Sequence, residues 1–204
     1  MSAALKQVRS VSVPSESNIS VADYLARERA SKSKHEYYAG AVFAMAGAKN
    51  VHNIISMNVG AFLHAKLRGK PCGAFNSDTK VRIRMANGTR FYYPDAMVVC
   101  QQNPLEDAFQ DAPVVIVEVL SEDTRRVDQV EKLEAYLSIP SMSVYLLVET
   151  DRPKVTVYLR GDQGFEAYAY EGLDSTIPLD VIASAISLAE IYDRLNFDQP
   201  EKPV

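Results

Sequence analysis

Scarcity is the first informative property of this 204-residue chain, which has two cysteines and three histidines. Cys72 and Cys100 show neither CxxC spacing nor the density of a disulfide framework. Unpaired thiols in a reducing cytoplasm are therefore expected, and a structural zinc site is argued against. His35, His52 and His64 are too scattered to supply one. No apolar run approaches the roughly 20 residues that span a bilayer, so no membrane is expected among the partners. The opening MSAALKQVRSVSVPSES is polar and serine-rich, without the apolar core of a signal peptide. Positive charge is not in excess either: the net charge is −4 and the pI about 5.4. No global field draws nucleic acid to such a surface. Local basic clusters remain at Lys32–His35, Lys80–Arg84 and Arg125-Arg126. Each could track phosphates, but each alone is more simply a solvated face or strand edge.

What is present is ordinary globular material, 47% apolar and 24% charged, without repeats or low-complexity linkers. This length and composition favour one domain with a sizeable core, expected over residues 18–195 between tails at 1–17 and 196–204. Ser20-Val21-Ala22-Asp23 starts a helix with an acidic first turn. KHEYYAGAVFAMAG reads as two short strands hinged near Gly40. From Asn50, taken as the cap, an apolar stripe at Val51, Ile54, Ile55, Val59, Phe62 and Leu63 marks an amphipathic helix that Gly69 closes. TKVRIRM and AMVVC read as strands, and QQNPLEDAFQDAP as a polar loop. A second helix is expected from Arg125 to Leu137, with Val130, Leu133 and Leu137 inward. SVYLLVE, KVTVYLR and FEAYAYE read as three further strands. Ser187-Leu188-Ala189-Glu190 is a capping box for a last helix ending near Leu195. The order implies an α/β or mixed α+β plan, a mixed sheet flanked by helices.

The sharpest local question lies in VVIVEVLSED, residues 114–123. Val114, Val115, Ile116, Val117, Val119 and Leu120 form a strand buried on both faces, yet Glu118 interrupts them. A glutamate is almost never fully buried unpaired. Its partner is either a structural base, Arg125 or Lys132, or a metal. Asp95 follows Pro94 at the head of the preceding strand. If the two strands are neighbours, Asp95 and Glu118 project into one space. Two carboxylates, the backbone carbonyl of Val119, phosphate and waters would suit octahedral Mg²⁺ or Mn²⁺.

Pro-Asp followed by a strand carrying Glu resembles the PD-(D/E)XK nuclease superfamily. The ordered set KHEYYAGAVFAMAG, a helix with an early His, YYPDAMVVC and VVIVEVLSEDTRRVDQVEKLEAYLSIPSMSVYLLVE is similar to the Uma-type restriction endonucleases. The resemblance covers roughly residues 18–195 and is sharpest in EVLSEDTRRVDQVEKLEAYL. It implies a restriction-endonuclease-like core, DNA as partner and Mg²⁺ or Mn²⁺ as cofactor. Catalytic roles would fall to Asp95, Glu118, Lys132 and Glu36, with Asp95, Glu118 and Val119 at the metal. One departure is plain: the lysine expected two residues after the glutamate is replaced by Leu120. The resemblance moves that role to Lys132 on the following helix, whose alternative is an exposed pair with Asp128. Glu36 matches the superfamily's early acid; its alternative is an exposed strand residue paired with Lys34. Asp78 reads as a turn residue and His52 as a hydrogen-bonded surface histidine. The rival to a nuclease is a diverged member that binds nucleic acid or protein without turnover. A small-molecule enzyme on the same core is a third possibility. Cutting both strands of a duplex would favour a homodimer.

Overall fold

The computed structural model describes residues 15–45, 47–121 and 127–197. The expected starts at Arg125-Arg126 and the end of the C-terminal tail lie outside these residues. In chain order the elements begin with α1 (Val21–Ala30), β1 (His35–Tyr38), β2 (Ala41–Ala44) and α2 (Asn50–Leu67). Next come β3 (Gly73–Asn76), β4 (Lys80–Met85), β5 (Gly88–Tyr92), β6 (Ala96–Val99), β7 (Phe109–Gln110) and β8 (Pro113–Val119). A π-helical segment, Val127–Lys132, runs directly into α3 (Leu133–Leu137). The chain then forms β9 (Val144–Val148), β10 (Lys154–Gly161), β11 (Gly164–Glu171), β12 (Thr176–Leu179), β13 (Ser184–Ser187) and α4 (Leu188–Ile191).

Local chemistry accounts for the boundaries. Ser20 caps α1 by accepting from the Asp23 amide, and Ser187 with Glu190 forms a full capping box on α4. The β1–β2 hairpin turns on Ala39 and Gly40, both at positive φ (44° and 101°), as a two-residue hairpin turn requires. Helix α2 is capped at Lys49 and not at Asn50; Asn50 is its first turn, and no side chain caps it. Gly69 at φ 73° follows its end, where a left-handed residue closes a helix at little cost.

The strands make a mixed α/β architecture. A six-stranded sheet runs β11-β10-β9-β8-β6-β3, and a five-stranded sheet runs β2-β1-β5-β4-β7. In the larger sheet β8 and β9 are parallel, with the π segment and α3 between them in sequence, while β6 and β8 are antiparallel. Alternation along β8 divides the interior. Val115, Val117 and Val119 join the core under α2, with Ile55, Val59 and Leu63. Ile116 and Leu120 join the core under α3, with Ala135, Tyr136 and Met142. Each fully buried aliphatic side chain contributes about 1.5–3 kcal/mol. A third cluster, Tyr24, Tyr37, Val42, Phe91 and Phe109, seats α1 on the smaller sheet. Among the described residues no helix is long and apolar enough to cross a membrane.

Four further expectations are corrected. Cys72 and Cys100 are not free thiols: they are joined in a disulfide. Gly73 pairs with Val99 across β3 and β6, so continuing that register puts the two cysteines side by side. The supposed polar loop after Cys100 contains β7, which pairs parallel with β4. Val130 does not face inward but is 62% exposed. Finally, the terminal helix stops at Ile191 and not near Leu195.

Candidate active site

Strand parity aims Glu118 at α3. It lies between Ile116 and Leu120, both in the core beneath that helix, so its side chain leaves the sheet on the same face. Glu118 is 4% exposed. One of its oxygens, Oε1, accepts a hydrogen bond from the Tyr136 hydroxyl at 2.7 Å and lies 3.3 Å from Lys132 Nζ. Lys132 Nζ is also 2.9 Å from Glu36 Oε1. Lys132 itself is 5% exposed and sits 5.5 Å from the centre of the Tyr92 ring. A solvated helix face is therefore not the setting of this lysine. Nor does Glu36 pair with Lys34, whose ammonium binds Asp78 at 2.6 Å in the turn before β4.

The π segment explains why Val130, alone of the three residues expected to face inward, is exposed. Its wider turn breaks the 3.6-residue period, whereas Leu133 and Leu137, beyond it, pack against the core as expected. From Lys132 onward the α period returns, and Lys132, Ala135 and Tyr136 share the buried face. That shift delivers one ammonium and one hydroxyl, four residues apart, to a single carboxylate.

Asp95 stands opposite on the next strand. Ala96 pairs with Val117, and one further step in that register brings Asp95 across from Glu118. Asp95 Oδ2 accepts from the Val119 amide at 2.7 Å and lies 3.2 Å from His52 Nε2, in the first turn of α2. His52 is thus beside the acids and is not the surface histidine expected. Both contacts of Asp95 fall on Oδ2. The structure brings Glu36, Glu118 and Lys132 into direct contact and sets Asp95 and Val119 on the neighbouring strand ends.

Burial shapes the rest. Tyr136 is held well above the ordinary tyrosine range by burial, then by the adjacent Glu118, so it remains a donor. Arg90, 2% exposed, donates to the Tyr38 hydroxyl at 3.0 Å and approaches the Glu131 carbonyl at 3.5 Å. That carbonyl belongs to the residue preceding Lys132. The sequence signal for Tyr136 was its spacing from Lys132. For Arg90 there was none, because GTRFY does not declare itself as a strand and an arginine is ordinarily exposed.

The donor set suits a hard divalent cation. Two sheltered carboxylates lie on adjacent strands, and their oxygens match Mg²⁺ or Mn²⁺ better than a softer ion. Among the described residues no group of three or more His, Cys, Asp or Glu side chains is placed to hold a metal ion by itself. An ion held here would keep several positions for water or phosphate, as Mg²⁺ does.

Comparison with known proteins places the chain in a family. A model described as "Uma2: Putative restriction endonuclease" matches residues 21–190. The chain belongs to the Uma2 family. It is 29% identical over 180 residues to the "Uncharacterized protein slr1290" of Synechocystis sp., covering 88% of this chain and 94% of that one. It is 31% identical over 134 residues to "Uncharacterized protein sll1609" of the same organism, covering 64% and 75%. A crystal structure described as a "putative nuclease belonging to DUF820", from Anabaena variabilis, superposes with a TM-score of 0.69 at 17% identity. It covers 85% of this Uma2 chain and 97% of its own. That likeness establishes a shared fold.

Proposed function

We propose that this Uma2 protein is a Mg²⁺- or Mn²⁺-dependent endonuclease that hydrolyses DNA phosphodiester bonds. The observation that carries the reading is the buried contact of Lys132 with Glu118 and Glu36, beside Asp95. A lysine from the following helix thereby reaches the acid that Leu120, two residues on, cannot serve. Asp95, Glu118 and the Val119 carbonyl would hold the cation. When bound, such an ion polarises the phosphorus centre and acidifies water. The remaining roles belong to side chains. Lys132, fixed by two carboxylates, offers an ammonium for the attacking water or the phosphate charge that builds in the transition state. Tyr136 holds Glu118 Oε1, and the Val119 amide and His52 hold Asp95 Oδ2. Glu36 orients Lys132. A homodimer would supply one such site per strand of a duplex.

A second reading, binding without turnover, has its own support. The surface is net acidic, and much of the local basic charge is engaged. Lys80 is buried against the Tyr93 hydroxyl, while Arg82 and Arg84 both reach Asp111.

Single-turnover cleavage of duplex DNA with Mg²⁺ or Mn²⁺ separates the readings. Asp95→Ala is expected to abolish cleavage. Lys132→Met, which keeps the buried stem, is expected to lose about 10²-fold or more, the size of one preorganised charge-stabilising group. The cation is also expected to raise the thermal midpoint of the wild type but not of Asp95→Ala, by mass action on the folded state. Wild-type protein that binds DNA but cuts no substrate would move the conclusion to the non-catalytic reading.

A further inference from the structure

Most sheet edges in this protein are short or covered. Among the described residues, Glu16 bridges to Val42 on β2, at one edge of the five-stranded sheet, and β7 at the other edge has two residues. In the larger sheet β3 has four residues, next to the bonded Cys72. The opposite edge is different. Strand β11 runs for eight residues in unbroken register with β10, from Glu171 opposite Lys154 to Gly164 opposite Gly161.

An outer strand presents a row of backbone N–H and C=O groups to solvent. Proteins that stay apart block such a row with proline, lysine or a bulge. GFEAYAYE contains none of these. Ala167 and Ala169 are exposed, and Tyr168 is 43% exposed.

We propose that β11 pairs antiparallel with β11 of a second copy of this chain, about a two-fold axis at Tyr168, fusing the two six-stranded sheets into one. A two-fold axis through a sheet pairs residues that share a face, so it must pass through a residue position. Charge selects which. An axis at Glu166 sets two carboxylates against each other. An axis at Ala167 leaves the Lys154–Glu171 ion pair, 2.6 Å apart, outside the paired stretch. At Tyr168 the rows complement one another. Glu166 meets the hydroxyl-bearing Tyr170 of the second copy. Glu171, carrying its Lys154, meets Phe165, on which Arg160 stacks at 4.4 Å. Ala167 meets Ala169, small enough for close backbone approach, and the two Tyr168 rings meet on the axis. Within β11 no like charges face each other.

The pairing is independent of phosphodiester hydrolysis, and β11 contributes no residue to the proposed machinery. Light scattering of the full chain at micromolar concentration is expected to give twice 22.6 kDa. Tyr168→Lys, which opposes two ammonium groups on the axis, is expected to give a folded monomer. Tyr168→Cys adds the only free thiol among the described residues, since Cys72 and Cys100 are bonded. Opposed residues in an antiparallel pair lie about 4.5–5.5 Å apart, within reach of a disulfide. Mild oxidation should therefore yield a covalent dimer, whereas Asp162→Cys, in the exposed loop before β11, should not. A monomeric wild type would overturn the proposal, even if it cleaves DNA. So would a dimer that survives Tyr168→Lys, or one whose Tyr168→Cys variant fails to cross-link.

Discussion

Glu118 sits in a fully enclosed environment because two groups from one helix face meet its Oε1. The Tyr136 hydroxyl gives a short hydrogen bond to a charged acceptor, a type that contributes about 1.5–3 kcal/mol. Tyr136→Phe keeps the ring and removes only that donor. It is expected to lower unfolding stability by about 2 kcal/mol in denaturant titration, with no change in slope. A loss near zero would mean that the oxygen is satisfied without the hydroxyl. An exposed Lys132 would cost about 0.5 kcal/mol to replace. Buried between two acids, it is expected to cost several times more, since truncating one member of a buried ionic network costs about 3–5 kcal/mol. That an acid in a β-branched run needs a partner was legible from the sequence. Which partner was not, because it depends on how the helix after β8 is phased.

At the scale of elements, long periodic segments were readable and short ones were not. Helices α1 and α2 and strands β8 to β11 stand where capping, apolar stripes and β-branched runs put them. Strands β3, β5 and β7 escaped because GAFN, GTRFY and FQ are short, glycine-led or lie in polar surroundings. Their pairing is supplied by tertiary neighbours and not by their own pattern. The two-residue β7 is held by such a neighbour. Arg82 of β4 grips Asp111, directly after β7, through two bonds of 2.7 and 2.6 Å. Burial opposes ionisation of Asp111, but Arg82 and Asn103 outweigh it and hold its carboxyl below the usual range. A depressed folded-state pKa means that the stabilisation is fully present above the unfolded value, about 3.9. It is lost as pH falls through the folded value. Wild-type stability should therefore drop as pH falls below about 4, and Asp111→Asn should flatten part of that acid limb in urea titrations. A parallel limb in the variant would show that other carboxylates control it.

Across the whole molecule, the disulfide ties the residue before β3 to the residue after β6, two paired strands of the larger sheet. From β3 in the larger sheet the chain crosses into the smaller one for β4 and β5, then returns as β6 beside β3. Cys72 and Cys100 lie just outside the two strands that flank that excursion, so the bond encloses it. Two isolated cysteines gave no sign of pairing in sequence, since only the β3–β6 register makes them neighbours. A cross-link over a sequence separation of 28 restricts mainly the unfolded chain. The loop-closure relation puts an upper figure of about 3.5 kcal/mol on that effect. The excursion is also held by the antiparallel β6–β8 pairing, so the folded site does not depend on the bond. The double variant Cys72→Ala, Cys100→Ala is therefore expected to fold, to lose up to about 3.5 kcal/mol in denaturant unfolding, and to keep the cation-dependent thermal shift of the wild type. A variant that loses that shift while remaining folded would mean that the bond positions Asp95, five residues before Cys100, and does more than tie off the excursion.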